Sequence, residues 1–235
     1  MFITPKGGTF GGLGSSEVLT DDDLDVIRST SGVKRAAGMG YTTGRYEFND
    51  IVRYNFVAGI PLHPEERALI GEAQTWHIGK GRSIERGDKY KVLLGYEYTQ
   101  TTQFEKALDL GGKIDINGIE FKIVGFLEKI GSPPDDKSGF IPLDTYAEIY
   151  DKENELGYII AQTDLGEETG KIAEEIKKDL RKKRDVDEGE EDFVVETPEQ
   201  LAATFAIILD IVQIVLIGIA GISLFVGGVG IMNTM

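Results

Sequence analysis

The sequence predicts an α+β domain that is followed by one long apolar helix at the carboxyl terminus. Three observations support this prediction. Strand-like and helix-like segments are mixed without the regular βαβ order of a parallel sheet. An Asn-Gly pair at residues 117–118 separates two runs of alternating apolar residues, which is typical of a tight hairpin. From Ile214 to Met232 no side chain is more polar than that of Ser223.

The composition limits the functions that the chain can have. With 235 residues, of which 41% are hydrophobic, it is large enough to bury a sizeable core. Its 40 acidic and 25 basic residues give a formal charge of −15, which argues against general binding to nucleic acid or to anionic lipid surfaces. The chain contains no cysteine, which excludes disulfides, thiolate zinc sites and cysteine nucleophiles.

The first predicted elements are a short helix and two strands. Thr20 followed by aspartates at residues 21–23 is typical of a helix start, because acidic side chains complement the helix dipole, and Gly32 is expected to end this helix. Calcium binding by the aspartates is a minor alternative. Residues 33–41 and 45–57 are rich in aromatic and β-branched side chains and predict two paired strands around Gly44.

The middle of the chain predicts a helix, the hairpin and a short strand that turns into a helix. Residues 65–78 have helical composition, and Trp76, the only tryptophan, is expected to pack on a core rather than to bind a ligand. The hairpin strands are predicted at residues 113–116 and 119–126. Residues 131–136 predict an exposed loop, and a strand starting at Phe140 leads into a helix that reaches Tyr150.

The last part of the polar region predicts a strand, a helix and a second strand. Ile172, Ile176 and Leu180 recur at helical spacing, and the charged residues between them cover the wet face of the helix. The three elements are predicted at residues 158–162, 167–183 and 193–196.

No catalytic, cofactor-binding or metal-binding residue is predicted. His63 and His77 have no flanking ligand pattern, so exposed or locally hydrogen-bonded positions are expected. Residues 79–81 resemble a phosphate-binding loop only superficially, because no serine or threonine follows the lysine. The strongest metal candidate is the acidic stretch 185–196, but Glu190 lies at the sixth position, where a calcium loop requires glycine. A solvated acidic loop is the favoured interpretation.

The carboxyl-terminal helix is predicted to begin before the membrane and then to cross it. Thr197, Pro198 and Gln200 have the pattern of an N-cap, a first helical residue and the partner of a capping box. A helix from Pro198 to Met232 would be roughly 50 Å long at ~1.5 Å per residue, longer than a ~30 Å hydrocarbon core. Its first turns are therefore expected to form a stalk outside the lipid, with Asp210 and Gln213 near the water-facing end. A buried core helix is the alternative.

The absence of basic residues predicts the orientation of this helix. No lysine or arginine follows Arg184 as far as Met235, whereas cytoplasmic flanks of membrane helices are usually basic. The acidic domain is therefore expected on the extracytoplasmic side of the cell membrane. The first residues have no charged region followed by an apolar run, so they supply no export signal, and we expect the sequence to be truncated at both ends.

Small residues predict that the membrane helix packs closely against another helix. Small side chains let helix backbones approach each other in lipid, where attraction comes from packing. The alternative is that glycine is simply common in membrane helices. The residues concerned are Gly221, Ser223, Gly227, Gly228 and Gly230.

Several segments resemble the MacB-type ABC transporter permeases of the FtsX-like superfamily. The ending from Ile222 to Asn233, ISLFVGGVGIMN, resembles the start of the second transmembrane helix of that family. Residues 81–95 resemble its Gly-Arg stretch with a following acid, Asp88, and a final Leu-Gly pair. Residues 112–125 resemble its hairpin. The strands that begin near Phe140 and Asp192 also have counterparts, so the resemblance covers nearly the whole chain.

The resemblance implies a two-lobed extracytoplasmic domain inserted between two transmembrane helices. A porter-like lobe would comprise residues 1–60 and 157–197, an inserted mixed β/α lobe residues 61–156, and the stalk and transmembrane helix residues 198–235. It also implies a non-catalytic homodimeric permease in membrane lipid that works with a separate cytoplasmic ABC ATPase, in some members with an adaptor protein. Such permeases transmit ATP hydrolysis to the outer domain and export antibiotics, peptides or lipid-linked substrates. The alternatives are an ABC-linked sensor or regulator of cell-wall hydrolases and, more weakly, a membrane-anchored enzyme.

Overall fold

The computed structural model describes residues 1–7, 14–164 and 166–234, with the backbone alone at several positions near the end of the last helix. These residues form two compact units, Met1–Val195 and Glu196–Met235. In the described residues, helices α1 to α6 span Asp21–Ser29, Pro64–Gln74, Pro133–Asp136, Leu143–Tyr150, Thr169–Arg184 and Pro198–Thr234. Strands β1 to β6 span Phe2–Pro5, Leu19–Thr20, Val33–Phe48, Ile51–Ile60, Ile78–Gly81 and Lys91–Leu94. Strands β7 to β12 span Lys113–Ile116, Ile119–Leu127, Gly139–Pro142, Glu155–Leu156, Tyr158–Thr163 and Phe193–Glu196.

The two ends of the first unit build one half of a large sheet. Four strands lie in the order β12-β1-β11-β3, and β11 is antiparallel to both β1 and β3. In chain order the elements are β1, α1 and β3, followed later by β11, α5 and β12. This order is the split βαβ arrangement. Both helices pack on the same face through apolar side chains such as Ile27 and Ile176, which share one buried core with Ile3 and Phe193. The predicted strand-helix-strand ending is confirmed.

Both ends of this unit lie at the same end of the sheet. β1 and β12 are hydrogen-bonded neighbours, and just beyond them the Lys6 backbone N–H donates to the Asp192 carbonyl oxygen over 2.8 Å. Because Lys6 follows β1 whereas Asp192 precedes β12, the two strands overlap only if they are antiparallel. Phe2 at the start of β1 therefore lies at the same end of the sheet as Val195 in β12.

The middle of the chain forms a small closed barrel. Six strands pair in a ring, β3-β4-β9-β6-β8-β7, which closes because β7 returns to β3 with Ile116 opposite Tyr46. Closure removes the free edges that an open sheet would expose. The buried interior is largely aromatic and aliphatic, and it includes Tyr98, Phe104 and Phe121. The mixture of strands and helices confirms the predicted α+β class.

The predicted hairpin is confirmed within this barrel. β7 and β8 pair with Ile116 opposite Ile119, and the two residues between them have positive φ angles, 54° for Asn117 and 82° for Gly118. These angles are those of a type I′ turn, which matches the twist of the flanking strands. The Asn117 side-chain oxygen also accepts a 2.8 Å hydrogen bond from the Arg45 backbone N–H.

A pair of glycines marks the point where β3 passes from the first half of the sheet into the barrel. β3 pairs with β11 as far as Met39 and with β4 from Gly40, which lies opposite Gly59. A Cβ atom at Gly40 would lie 2.3 Å from the Tyr146 ring, and one at Gly59 would lie 2.6 Å from the Tyr146 Cβ. The Tyr146 side chain thus occupies the space that side chains at both glycines would need. A third core, which includes Met39, Phe140 and Tyr158, draws on both parts of the unit. The division into two lobes stays a prediction.

Two predicted boundaries were wrong. Residues 33–48 form one strand that runs through Gly44, where a Cβ atom would lie 2.5 Å from Val57, so this glycine serves close packing rather than a turn. The turn lies at Asn49-Asp50, whose φ angles are 53° and 60°. The helix predicted to reach Ile78 ends at Gln74, because Thr75 is left-handed at φ 57°. Trp76 packs against Phe140 with ring centroids 4.3 Å apart, as predicted.

The second unit is the helix α6. Its start has a reciprocal hydrogen-bond pair: the Thr197 backbone N–H donates to Gln200 Oε1 over 2.9 Å, and the Gln200 backbone N–H donates to Thr197 Oγ1 over 3.3 Å. Within the described residues one helical segment, Pro198–Leu224, is long and apolar enough to cross a membrane, with a mean hydropathy of 2.6 in its most apolar window and no buried residue there.

Candidate functional site

The most extensive buried ion-pair cluster of the first unit lies beside the strand that leads into α6. This Arg184 cluster consists of Asp23, Lys183, Arg184 and Asp192. Asp23 lies in the first turn of α1 and is completely buried, at 0% exposure. Lys183 and Arg184 lie in the last turn of α5, and Asp192 immediately precedes β12. Basic groups at the end of one helix thus meet an acid at the start of another, which also complements both helix dipoles.

Arg184 joins three parts of the chain through one guanidinium group. Its Nη2 donates to Asp23 Oδ2 and to the Val18 carbonyl oxygen, each over 2.6 Å, and its Nε donates to Asp23 Oδ1 over 3.2 Å. Its Nη1 pairs with Asp192 Oδ2. The guanidinium carbon also lies 5.9 Å from the centre of the Phe193 ring in β12. The planar guanidinium of arginine presents five N–H donors in a fixed geometry, whereas a lysine presents three from one nitrogen.

The charge of Asp23 is stabilised despite its burial. Burial by itself raises the pKa of this carboxyl, but hydrogen bonds from Arg184 and Lys183 and from the Thr20 backbone N–H outweigh that effect. The pKa of Asp23 therefore lies below its ordinary value. The Thr20 N–H to Asp23 Oδ2 distance is 2.8 Å, and the Asp23 N–H donates back to Thr20 Oγ1 over 3.3 Å. Asp23 therefore completes the capping box of α1 while it binds the end of α5.

A second cluster of similar chemistry lies in the barrel. This Asp88 cluster consists of Arg82, Asp88 and Lys91. Arg82 donates to both Asp88 oxygens, over 2.7 and 3.2 Å, and Lys91 Nζ lies 2.5 Å from Asp88 Oδ1. Burial raises the pKa of Asp88, yet the bonds from Arg82 and Lys91 hold it well below its usual range. The Gly-Arg stretch with its following acid, which carried part of the family resemblance, thus folds residues 82–91 around one buried carboxylate.

An open cleft of about 820 Å³ lies next to the Asp88 cluster. It is lined by the start of α2, by residues 86–89 and by α4. Across it Lys89 Nζ lies 2.9 Å from Glu148 Oε2, and a smaller depression of about 300 Å³ continues along α4 past Asp144. The cleft pairs charges of both signs, and in the described residues no group of three or more histidine, cysteine, aspartate or glutamate side chains could hold a metal ion.

The structure places the residues singled out from the sequence at separate positions. His63 is the N-cap of α2, and His77 is exposed. Within the acidic stretch Asp185 is the left-handed C-cap of α5, while Asp192 belongs to the Arg184 cluster. Sequence reasoning missed Arg184 itself. The signal that was present is the pairing of a run of four basic residues at the end of α5 with three aspartates at the start of α1.

The predicted packing residues lie in α6. Gly221 and Ser223 are exposed, and Ser223 Oγ donates to the Ile219 carbonyl oxygen of the same helix over 2.8 Å. Gly227, Gly228 and Gly230 belong to the helical backbone, but their surroundings lie outside the described residues. The packing role of all five residues stays a prediction.

The chain is similar to known proteins in sequence. Residues 1–179 match the family described as the MacB-like periplasmic core domain. The chain is also 33% identical, over 224 residues, to an uncharacterized ABC transporter permease of Methanocaldococcus jannaschii. That alignment covers 95% of the chain and 54% of the relative, so the chain spans about half of the relative's length.

Two solved structures share the fold. The periplasmic region of MacB from Actinobacillus actinomycetemcomitans has a TM-score of 0.70 at 13% identity and covers 87% of this chain and 91% of that one. The extracellular domain of the noncanonic ABC-type transporter YknZ from Gram-positive bacteria has a TM-score of 0.64 at 13% identity and covers 84% of this chain and 99% of that one. The family match over residues 1–179 shows that the chain belongs to the family of MacB-like periplasmic core domains, whose fold these two structures share.

Proposed function

We propose that the chain is the extracytoplasmic domain and first following membrane helix of a permease that converts ATP hydrolysis in a separate cytoplasmic ATPase into movement outside the membrane. The observation that carries this proposal is the position of the two ends of the first unit. Phe2 and Val195 lie at the same end of the sheet, and the apolar helix α6 begins three residues after Val195. Such a domain can be carried by membrane segments attached at one end of its body.

The chain itself is proposed to perform no bond chemistry. Two of the buried carboxylates in the described residues, Asp23 and Asp88, are each bound by two basic side chains that hold them ionised, which suits structural ion pairs, and a third, Asp136, accepts hydrogen bonds from the backbone N–H groups of residues 130 and 131. A general acid or base would instead need a pKa near the working pH. The work is proposed to come from a cytoplasmic ABC ATPase, and the permease is proposed to be a homodimer in membrane lipid, with an adaptor protein as a further partner where one exists. Nucleic acid is not a proposed partner.

The transported compound is proposed to be an antibiotic, a peptide or a lipid-linked molecule. The test reconstitutes the full permease with its ATPase in lipid vesicles and measures ATP hydrolysis against a panel of these compounds. Export predicts that at least one compound raises the hydrolysis rate and accumulates on the far side of the vesicle membrane. Hydrolysis that responds to no compound, together with normal drug and peptide resistance in a deletion strain, would instead favour a sensor or a regulator of cell-wall hydrolases.

The proposed sidedness has a direct test because these 235 residues contain no cysteine. Lys171 lies in the first turn of α5 with 78% of its side chain exposed, so Lys171→Cys adds one reactive thiol to the domain. In intact cells that carry the full permease, a membrane-impermeant maleimide is expected to label this thiol. Labelling only after the cells are broken would place the domain in the cytoplasm. The full permease without the Lys171→Cys substitution is the control for background labelling.

Close packing of α6 is the part of the proposal that concerns the homodimer. Small residues permit close approach of helices in lipid, and a bulky side chain at the interface prevents it. Gly221→Leu is therefore expected to weaken association of the full permease in detergent, measured by its dissociation constant. Ile222→Leu, one position away, conserves side-chain volume and is the matched control. An unchanged constant for Gly221→Leu would place this glycine on the lipid side.

A further inference from the structure

We propose that Arg184 is a positioning residue that couples movement of α6 to the body of the domain, an inference that rests on the proposed function. The strand β12 is the only covalent path from the first unit to α6 in this chain, and it is four residues long. Among the described strands it lies at the outer edge of the sheet, with β1 as its one neighbour in the sheet order. An edge strand of this length has few backbone hydrogen bonds with which to resist a load.

The antiparallel arrangement makes β12 vulnerable to a load applied through α6. The load arrives at the Val195 end of β12, which lies beside the start of β1. In this geometry the backbone hydrogen bonds between the two strands are loaded one after another, beginning at that end, and they yield in sequence. The last of them is the bond from the Lys6 N–H to the Asp192 carbonyl oxygen. Asp192 is thus the point at which separation of the strands has to be stopped.

The Arg184 cluster lies at this point. Arg184 binds the Asp192 side chain with one nitrogen and the buried Asp23 with two others, while a further bond reaches the Val18 carbonyl oxygen. Arg184 is only 11% exposed, so water competes little for these bonds. Separation of β12 from the sheet therefore requires breaking charge-assisted bonds to α5, and through Arg184 to α1. The geometry assigns to Arg184 the transfer of load from the edge strand to both helices.

The competing explanation is that the cluster contributes only to stability. The Asp88 cluster provides a matched control, because it also holds a buried carboxylate between an arginine and a lysine but lies between β5 and β6, away from β12. Asp192→Asn removes one charge from the Arg184 cluster, and Asp88→Asn removes one from the control cluster. Arg184→Lys keeps the positive charge but loses the planar guanidinium group. It replaces Asp192→Asn in the test if Asp192→Asn folds poorly.

Local opening of β12 is the first measurement. Hydrogen exchange is followed on the full 235-residue chain in detergent micelles. Asp192→Asn and Arg184→Lys are expected to raise exchange across residues 193–195 by about tenfold or more, the factor for loss of one charge-assisted hydrogen bond. Asp88→Asn is expected to leave exchange in β12 unchanged and to raise it around residues 82–91. Equal exchange in β12 for all variants and the parent would overturn the assignment.

Coupling is the second measurement, in the full permease reconstituted with its ATPase. The expected result for Asp192→Asn is a basal hydrolysis rate like that of the parent, with the increase caused by transported compound reduced at least about fivefold. Asp88→Asn, at the same loss of thermal stability, is expected to keep that increase. A parent permease that shows no such increase argues against the proposed function. A normal increase in Asp192→Asn, or an equal loss in Asp88→Asn, argues against the role of Arg184.

Discussion

Gly40→Ala is the substitution whose effect follows most directly from the fold. The added methyl group would lie 2.3 Å from Cε1 and 2.5 Å from Cδ1 of the Tyr146 ring. The ring cannot move aside easily, because Tyr146 is 1% exposed and packs within the barrel core. Gly40 has no positive φ angle, so alanine meets no backbone strain there, and the effect isolates packing.

The expected cost is the difference between two opposing contributions. Overpacking of a well-filled core costs about 1–3 kcal/mol. Replacement of glycine by alanine at a compatible backbone conformation restores about 0.4–1 kcal/mol by restricting the unfolded chain. The free energy of unfolding should therefore fall by about 1–2 kcal/mol. In a Tyr146→Ala background the clash is absent, and Gly40→Ala should become neutral or slightly stabilising, which gives a coupling energy of about 1–3 kcal/mol between the two positions, equal to the overpacking cost.

The assay is urea unfolding of the 235-residue chain in detergent micelles, followed by tryptophan fluorescence. Trp76 is the single tryptophan and packs against Phe140, so its emission reports on the first unit. Gly71→Ala is the control, because a Cβ atom there contacts nothing within 4 Å and the residue lies inside α2. This variant should be stabilised by about 0.5–1 kcal/mol, since alanine is a better helix former than glycine.

Two results would refute the packing argument for Gly40. The first is a Gly40→Ala variant as stable as the parent, which would mean that the ring yields without cost. The second is an equal loss of stability in the parent and in the Tyr146→Ala background, because the cost would then have a source other than the ring. Gly59→Ala should behave differently, because its Cβ would lie 2.6 Å from the Tyr146 Cβ, which Tyr146→Ala retains, so its cost should persist in that background.

Three further predictions concern titration, the hairpin and the start of α6. The pKa values of Asp23 and Asp88 are lowered in the folded chain, so their contribution to stability is complete above the unfolded value of about 3.9 and is lost as the pH falls through their folded values. Urea midpoints should therefore drop in acid. They should drop less in Asp88→Asn, because this variant has already lost the contribution of the Asp88 charge at neutral pH. An equal acid dependence in this variant would contradict the lowered pKa of Asp88. Asn117→Ala places alanine at φ 54° and should cost about 1–2 kcal/mol in thermal unfolding, whereas Asn117→Gly should be tolerated. Thr197→Ala removes the acceptor of the Gln200 N–H and should weaken the helix start by about 0.5–2 kcal/mol, seen as faster hydrogen exchange at Gln200, while Thr197→Ser should exchange like the parent.

Local chemistry explains which elements the sequence predicts well. The Asn117-Gly118 turn, the start of α1 at Thr20 and the final strand-helix-strand each depend on residues within a few positions of one another. Turn residues, capping residues and hydrophobic spacing act over that range. The turn at Asn49-Asp50 is not predicted, because Gly44 is the stronger turn signal in this stretch, although in the structure Gly44 permits close contact with Val57.

The candidate site could be predicted only in part. The charges of the Arg184 cluster are visible as aspartates at the start of α1 and basic residues at the end of α5. Their meeting is not visible, because Arg184 and Asp23 are 161 positions apart. Nothing in a single sequence identifies which of its 40 acids a given arginine binds. The same limit applies to Asp88. Its family motif can be recognised in the sequence, but its position at the centre of the loop formed by residues 82–91 cannot be predicted.

The amino-acid sequence alone is enough to predict an α+β body without cysteine chemistry and a helix apolar enough to cross a membrane. These properties follow from composition and from the spacing of neighbouring residues. The folded chain is needed to show that β7 closes a barrel against β3, that β1 and β12 lie side by side, and that Arg184 joins the edge strand to both helices. Pairings of this kind depend on burial and backbone partners that distant segments supply only once they have folded together.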